Sequence, residues 1–358
     1  MDELERLAGS VLMIGFGGTS LPVAVADALV ARALAGVILF KRNVGTMDEV
    51  AALGRAIEAA SGGPALVAID QEGGRVARLG APVVKLPPAR RFGEIDDPAL
   101  TERAGALLGA QLRALGITID FAPILDVDTN PDNPIIGDRS FGRTPEAVIR
   151  HAGAFARGLA SAGVVACGKH FPGHGDTDLD SHLALPRVAH DRARLDAIEL
   201  APFRALRSVL PTIMTAHVVF DAVDRTLPAT LCREVIDGVL RRELGYEGVI
   251  VSDDLEMRAV RDRWGVAEGA VRAIEAGCDL LLVCEHEDLV RQAREALAAR
   301  ARRDAAFESR LREAEDRITA LRRTVRARPI GAGQIDPAAS AALEQEIARR
   351  LASDPPSI

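Results

Sequence analysis

The segment from Lys169 to His182 gathers one lysine, three histidines and three aspartates within fourteen residues. Gly168, Gly173 and Gly175 punctuate it, giving a backbone able to turn sharply and lie close to a ligand. Only three of the 44 basic residues are lysines, so Lys169 marks a place that needs a compact point charge with freely directed donors. The plainer account of it is a strand cap paired with a carboxylate. Asp180-Ser181-His182 sets a carboxylate two residues before an imidazole. A carboxylate beside Nδ1–H fixes the tautomer and raises basicity, so such a pair can deliver and recover a proton near neutral pH. Taken alone, the pair also fits a surface Asp and His with no joint role. Asp253 closes the apolar run G-V-I-V-S-D. Burying a carboxylate there is costly without a partner or a task, and the position suits a nucleophile, a metal ligand or an ion-pair partner. Asp254 must point elsewhere while strand alternation persists.

Other polar residues follow the same logic. Asp70 ends an apolar run, and Arg139 lies in the turn-rich loop N-P-D-N-P-I-I-G-D-R-S-F-G. A carboxylate accepting two hydroxyls, with Arg and Lys donating to others, is a way to hold a polyol. Arg139 also fits a loop brace paired with Asp138 or Asp128. His170 reads equally as a core histidine, His174 as a loop organiser, and His217 as a ligand contact or a brace for Asp253.

These residues need a frame that brings them to one place. Short β-branched runs predict strands near Val11–Gly15, Gly36–Phe40, Ala65–Asp70, Ile117–Pro123, Val164–Lys169, Thr212–His217, Gly248–Asp253 and Asp279–Cys284. Helical patterns lie between them, at Pro22–Leu34, Met47–Ala60, Pro98–Leu115, Pro145–Ala162, Arg192–Ser208, Cys232–Leu244 and Val266–Ala276. Eight strand–helix units favour an α/β fold of the closed (β/α)8 TIM type over an open doubly wound sheet. The G-F-G-G-T-S stretch after the first strand fails the dinucleotide-binding spacing. In a parallel barrel, chemistry gathers at the C-terminal strand ends, which is where the polar residues above fall. The pattern from Glu285 to Arg326 is helical and highly charged, Pro329–Gly333 interrupts it, and Ala338–Leu351 reads as a last short helix. The expected division is a catalytic barrel over 1–326 and a helical C-terminal tail over 327–358.

Composition removes whole classes of function. The 358 residues carry a formal net charge of −7, which argues against a general nucleic-acid or anionic-membrane binder. Apolar runs such as Val11 to Phe16 are far shorter than the ~20 residues that span a bilayer, and the acidic start M-D-E-L-E-R is unlike a signal peptide. The expected address is therefore cytoplasmic. Cys167, Cys232, Cys278 and Cys284 form no C-x-x-C pair and read as small core residues of a reducing compartment.

Five ordered motifs at or just beyond strand ends carry a family resemblance: I-D-Q-E-G-G-R-V (Ile69–Val76), F-A-P-I-L-D-V (Phe121–Val127), G-D-R-S-F-G (Gly137–Gly142), G-K-H-F-P-G-H-G-D-T-D-L-D-S-H (Gly168–His182) and S-D-D-L-E-M (Ser252–Met257). From about Leu7 to Val283 the chain resembles the family 3 glycoside hydrolases, in particular the single-domain bacterial β-N-acetylglucosaminidases of peptidoglycan recycling. The resemblance implies that Asp253 is the nucleophile, His182 the general acid/base and Asp180 its orienting partner. This departs from the two-carboxylate scheme of most glycosidases. It implies substrate binding by Asp70, Arg139, Lys169 and His170, with His174 and Asp176 in the surrounding loop, Met257 as a pocket wall and His217 nearby. The implied reaction is removal of a terminal β-linked N-acetylglucosamine with retention, through a glycosyl-aspartate. No cofactor or metal is implied. The expected partner is a small GlcNAc-containing saccharide or muropeptide, bound by a monomer or weak homodimer. A neutral histidine would not repel an incoming anion, so a phosphorylase using phosphate in place of water is the alternative. Two other classes compete: a metal-dependent barrel hydrolase built on Lys169, His170, His217 and Asp253, and a non-catalytic sugar-binding barrel. The stretch C-E-H-E-D after the eighth strand has no role that the resemblance assigns.

Overall fold

The computed structural model describes residues 1–178, 185–326 and 328–353. Ten strands occur among them: β1 Leu12–Ile14, β2 Gly36–Leu39, β3 Leu66–Ile69, β4 Ile119–Asp120, β5 Val165–Phe171, β6 Arg187–Val188, β7 Thr212–Thr215, β8 Val219–Phe220, β9 Val249–Asp254 and β10 Leu280–Val283. Eight of these close a parallel barrel in the order β1-β10-β9-β7-β5-β4-β3-β2, while β6 and β8 pair apart from it. This is the expected (β/α)8 architecture, and each of the eight expected strands has its counterpart in the barrel. The barrel strands are buried almost throughout, as expected when helices cover the outside and side chains fill the inside.

β4 is the shortest strand of the barrel. Its ladder nevertheless continues past Asp120: Phe121 N–H donates to Ile69 C=O at 2.8 Å, and Cys167 N–H to Ala122 C=O at 2.8 Å. Pro123 then removes a donor, and the chain leaves into the loop that carries Asp126 and Arg139.

The helices begin where polar caps precede apolar periodicity. Thr46 and Glu49 form a reciprocal capping box at the start of helix Met47–Ala60. Asp97 and Thr144 cap helices Pro98–Ala114 and Pro145–Ser161, each with proline in the first turn. Three expected helices differ in detail. The Arg192–Ser208 pattern is interrupted by a π-helical stretch over Leu195–Glu199. The Cys232–Leu244 pattern is realised as a π-helix over Glu234–Glu243, closed by Leu244 N–H donating to Val239 C=O at 2.9 Å. The helix expected from Val266 begins earlier, at Arg258, with a break at Gly265, whose φ of 72° is left-handed. Helices Glu3–Ser10 and Ala89–Ile95 are additions to the sequence expectation.

The helical C-terminal region is present as Glu287–Ala301, Ala305–Thr324 and Pro337–Ser353. The last of these returns to the barrel. Ser340 Oγ accepts from Gln111 Nε2 at 2.7 Å and donates to Pro82 C=O at 2.9 Å, and Arg350 reaches Asp97 at 3.1 Å. Among the described residues no helix is long and apolar enough to cross a membrane.

At the N-terminal end of β10 the fully buried Asp279 draws three guanidiniums inward: Arg310 at 2.6 Å, Arg317 at 3.2 Å and Arg241. It also accepts the Ile250 N–H of β9 at 2.9 Å. Removing this carboxylate leaves three half-buried cations without it, a loss of at most about 3–5 kcal/mol. Asp279→Ala is therefore expected to lower the urea midpoint of unfolding by a corresponding amount, and an unchanged midpoint contradicts this reading.

Candidate active site

The C-terminal ends of β2, β3, β5, β7, β9 and β10 surround a cavity of about 210 Å³. Its lining includes Asp70, Glu72, Arg139, Lys169, His170, His174, Asp253 and Met257. The structure thus brings together residues spread over nearly two hundred positions of the sequence.

Lys169 is fully buried, and its Nζ lies 2.8 Å from Asp70 Oδ1 and 2.7 Å from Glu72 Oε1. Arg139 grips the same Glu72 with two parallel bonds, Nε to Oε2 at 2.9 Å and Nη2 to Oε1 at 2.8 Å, the bidentate geometry that a guanidinium favours. Arg139 also donates to Ile135 C=O at 3.2 Å, and Arg78 reaches Asp70 Oδ2 at 3.2 Å. Burial opposes each charge in this cluster, yet the attractions win. Arg139 and Lys169 hold the Glu72 carboxyl well below its ordinary range. Asp70 and Glu72 in turn keep the Lys169 ammonium above its own, and Glu72 does the same for Arg139. Of the two accounts of Arg139, the brace is real, but its partner is Glu72 and not Asp138 or Asp128.

A second cluster organises the imidazoles. Asp126 is fully buried. Its Oδ2 takes the Nδ1–H of His170 at 2.8 Å, and its Oδ1 takes the backbone N–H groups of His170 at 3.2 Å and His174 at 2.6 Å. His170 therefore keeps Nε2 for the cavity. Burial, reinforced by the neighbouring His170, pushes the His174 imidazole down to about 4, so it is neutral across the physiological range. The Thr177 hydroxyl donates to His174 C=O at 3.0 Å and receives His174 Nδ1–H at 2.7 Å.

Asp253 lies at the end of β9, half-buried and lining the cavity. Its Oδ1 accepts the Asp254 N–H at 2.8 Å. Asp254 accepts the Glu256 N–H at 3.1 Å, and burial, with the charges of Glu256 and Asp253, pushes its carboxyl up to about 7. His217 is buried between Thr230 Oγ1 at 2.8 Å and Asp254 C=O at 2.9 Å. It braces the end of β9 and is not among the residues lining the cavity. Asp176 is likewise outside the lining: it bonds Thr129 Oγ1 at 2.7 Å and pairs with His190. Asp180 and His182 lie outside the described residues.

The four residues weighed for a metal centre do not make one. Lys169 is held as an ammonium between two carboxylates, and both ring nitrogens of His217 have partners. The C-E-H-E-D stretch finds a structural use: Glu256 Oε1 accepts the N–H groups of Glu285 at 2.7 Å and His286 at 3.0 Å, and Oε2 meets His286 Nδ1 at 2.5 Å.

Sequence reasoning missed Glu72 and Asp126. Glu72 had a legible signal, since it sits two residues after Asp70 and shares its side of an extended chain. Asp126 had none beyond its place after a strand.

The barrel with a charged polyol-sized pocket at its C-terminal mouth defines a carbohydrate-active barrel enzyme. The glycosyl hydrolase family 3 N-terminal domain model matches residues 9–321. The chain belongs to glycosyl hydrolase family 3 and is a glycoside hydrolase. It is 42% identical to a beta-hexosaminidase of Alkalilimnicola ehrlichii over 286 residues, 78% of this chain and 82% of that one. A beta-hexosaminidase of Neisseria meningitidis serogroup C is 43% identical over 271 residues, 74% of each. Among solved structures, a family 3 beta-N-acetylglucosaminidase from Paenibacillus sp. superposes with a TM-score of 0.92 at 41% identity, covering 98% of this chain and 69% of that one. NagZ from Neisseria gonorrhoeae, solved with N-trifluoroacetyl-D-glucosamine, gives 0.73 at 34% identity, with 86% and 98% covered.

Beneath the Lys169 cluster, Asp120 is fully buried; Oδ1 accepts the Gln71 N–H at 3.0 Å, and Oδ2 has no hydrogen-bond partner among the described residues. Burial pushes this carboxyl up to about 7 from 3.8. The stabilisation that comes with its retained proton is complete below the lower value and is lost as pH rises through the upper one. Asp120→Asn cannot ionise. Its melting temperature relative to the parent is expected to rise between about pH 5 and about pH 8, and a difference that stays flat contradicts the assignment.

Proposed function

We propose that this protein is a retaining exo-β-N-acetylglucosaminidase that removes a terminal β-linked N-acetylglucosamine through a covalent glycosyl-aspartate at Asp253. The observation that carries the reading is the placement of the Asp253 carboxylate on the same small cavity as the Asp70–Lys169–Glu72–Arg139 cluster. A cavity of about 210 Å³ suits a single sugar ring, not a run of them, and exo cleavage follows from that. Asp70 retains lone pairs on both oxygens and Lys169 a third N–H, so both can hold sugar hydroxyls while keeping each other in place. His170 offers Nε2, Arg139 its remaining N–H groups, and Met257 an apolar wall.

In the first step an oxygen of Asp253 bonds to the anomeric carbon as the bond to the leaving oxygen breaks. His182, oriented by Asp180, gives its proton to that oxygen. In the second step neutral His182 takes a proton from water, whose oxygen displaces the aspartate, and the β configuration is restored. The assignment of Asp180 and His182 rests on the D-S-H triplet within the Gly168–His182 motif. The neutral acid/base also leaves room for phosphate as acceptor, which makes a phosphorylase the second reading. Muropeptides are the proposed source of the sugar on the motif resemblance to the peptidoglycan-recycling enzymes; NagZ of Neisseria gonorrhoeae, a similar structure solved with an N-acylglucosamine, supports only the sugar. The four described cysteines, all free and buried, fit a reducing, cytoplasmic setting. Residues 1–326 are the proposed catalytic unit and 327–358 its helical tail.

A chromogenic β-N-acetylglucosaminide is expected to release N-acetylglucosamine. Asp253→Ala should lower kcat by several orders of magnitude, and His182→Ala should harm substrates with poor leaving groups most. Near-parental turnover by Asp253→Ala removes the assignment. Product analysis with and without phosphate separates the two readings: free sugar in both supports the hydrolase, sugar 1-phosphate the phosphorylase.

A further inference from the structure

The barrel has a second cavity at its opposite mouth, where β2 and β3 begin. It measures about 400 Å³, and Arg32, Arg322, Arg323 and Ser61 line it beside residues 62–66 and apolar side chains such as Leu29 and Leu34. Arg32 and Arg323 are exposed and Arg322 is half-buried, and among the described residues none of the three has a carboxylate within ion-pair distance. The nearby Glu315 is already engaged by Arg6 at 2.6 Å. Arg322 is half-buried, its one bond being to Ala35 C=O at 2.7 Å. Burial and then the charge of Arg32 hold its pKa below the ordinary range, against a smaller opposing pull from Glu315. Ser61 Oγ is buried on the same cavity with no hydrogen-bond partner.

Arg32 adds an independent observation. Its φ is 54°, left-handed backbone that favours glycine or asparagine. Its side chain makes no hydrogen bond or ion pair in the described structure. That φ belongs to the end of helix Val23–Val30, where Ala33 N–H donates to Ala28 C=O at 2.8 Å; what bears on a ligand is the unengaged guanidinium beside the cavity.

We propose that this cavity binds a small phosphate-bearing ligand, with Arg32, Arg322 and Arg323 donating to the phosphate oxygens and the Ser61 hydroxyl adding a further bond. Guanidinium forks match phosphate geometry, and three of them suit a dianion better than a single carboxylate. The site is remote from Asp253 and independent of the reaction assigned to it.

The test uses the full chain and inorganic phosphate at constant ionic strength, with chloride as control. About 10 mM phosphate is expected to raise the melting temperature of the parent by about 2–4 °C. In the double variant Arg32→Gly, Arg323→Gln the shift should vanish and the phosphate affinity should fall at least about tenfold. Neither side chain makes a bond within the fold, so without phosphate the variant should melt no lower than the parent and keep its glycosidase turnover. A parent that phosphate does not stabilise, or a shift that survives in the double variant, overturns the proposal; survival would put the phosphate elsewhere, including the glycosidase cavity.

Discussion

The site depends on a buried ammonium held between two carboxylates. Lys169 cannot ionise in a dry interior unless Asp70 and Glu72 face it, and neither carboxylate tolerates burial without Lys169 and Arg139. Each charge is the condition for the others. The result is a rigid set of donors and acceptors whose spare lone pairs and protons open into the cavity. Preorganisation of this kind lets a hydroxylated ring bind without rearranging the protein. It also draws three segments together: Asp70 and Glu72 follow β3, Arg139 lies in the loop after β4, and Lys169 is in β5.

Around that cluster the fold works by bracing. Asp126 fixes two histidine segments at once, through His170 Nδ1 and the backbone of His170 and His174. His217, with Thr230, supports the carbonyl of Asp254 and so steadies the strand end that presents Asp253. Glu256 ties that same turn to the start of the segment after β10. These contacts keep the proposed nucleophile aligned with the sugar-holding groups, and none of them needs to touch a substrate.

The barrel was legible because its signal is repeated. Apolar β-branched runs separated by helical periods occur eight times, and the third to seventh of them end in or lead into polar residues in plain view. The partnerships were less legible. That Glu72 belongs with Lys169 and Arg139 follows from β3 and β5 lying on either side of β4, a relation between strands that no local pattern encodes. Asp126 looked like one more loop aspartate, because its value comes from three N–H groups delivered by a different segment. His217 was ambiguous for the same reason: at the end of β7 an imidazole can face the cavity or the neighbouring strand, and the Thr230 hydroxyl decides it. The i→i+5 winding near Val239 was invisible, since an amphipathic pattern of ten residues reads alike for both helix types.

The proposed covalent bond to sugar forms on a carboxylate oxygen of Asp253. The most direct measurement is mass spectrometry of the protein after inactivation by a fluorinated N-acetylglucosaminide that forms the glycosyl-enzyme quickly and releases it slowly. The expected result is one sugar added per chain, located in a peptide spanning Ser252–Met257 and on Asp253 within it. A label on Asp70 or Glu72, or inactivation with no covalent sugar, would contradict the account.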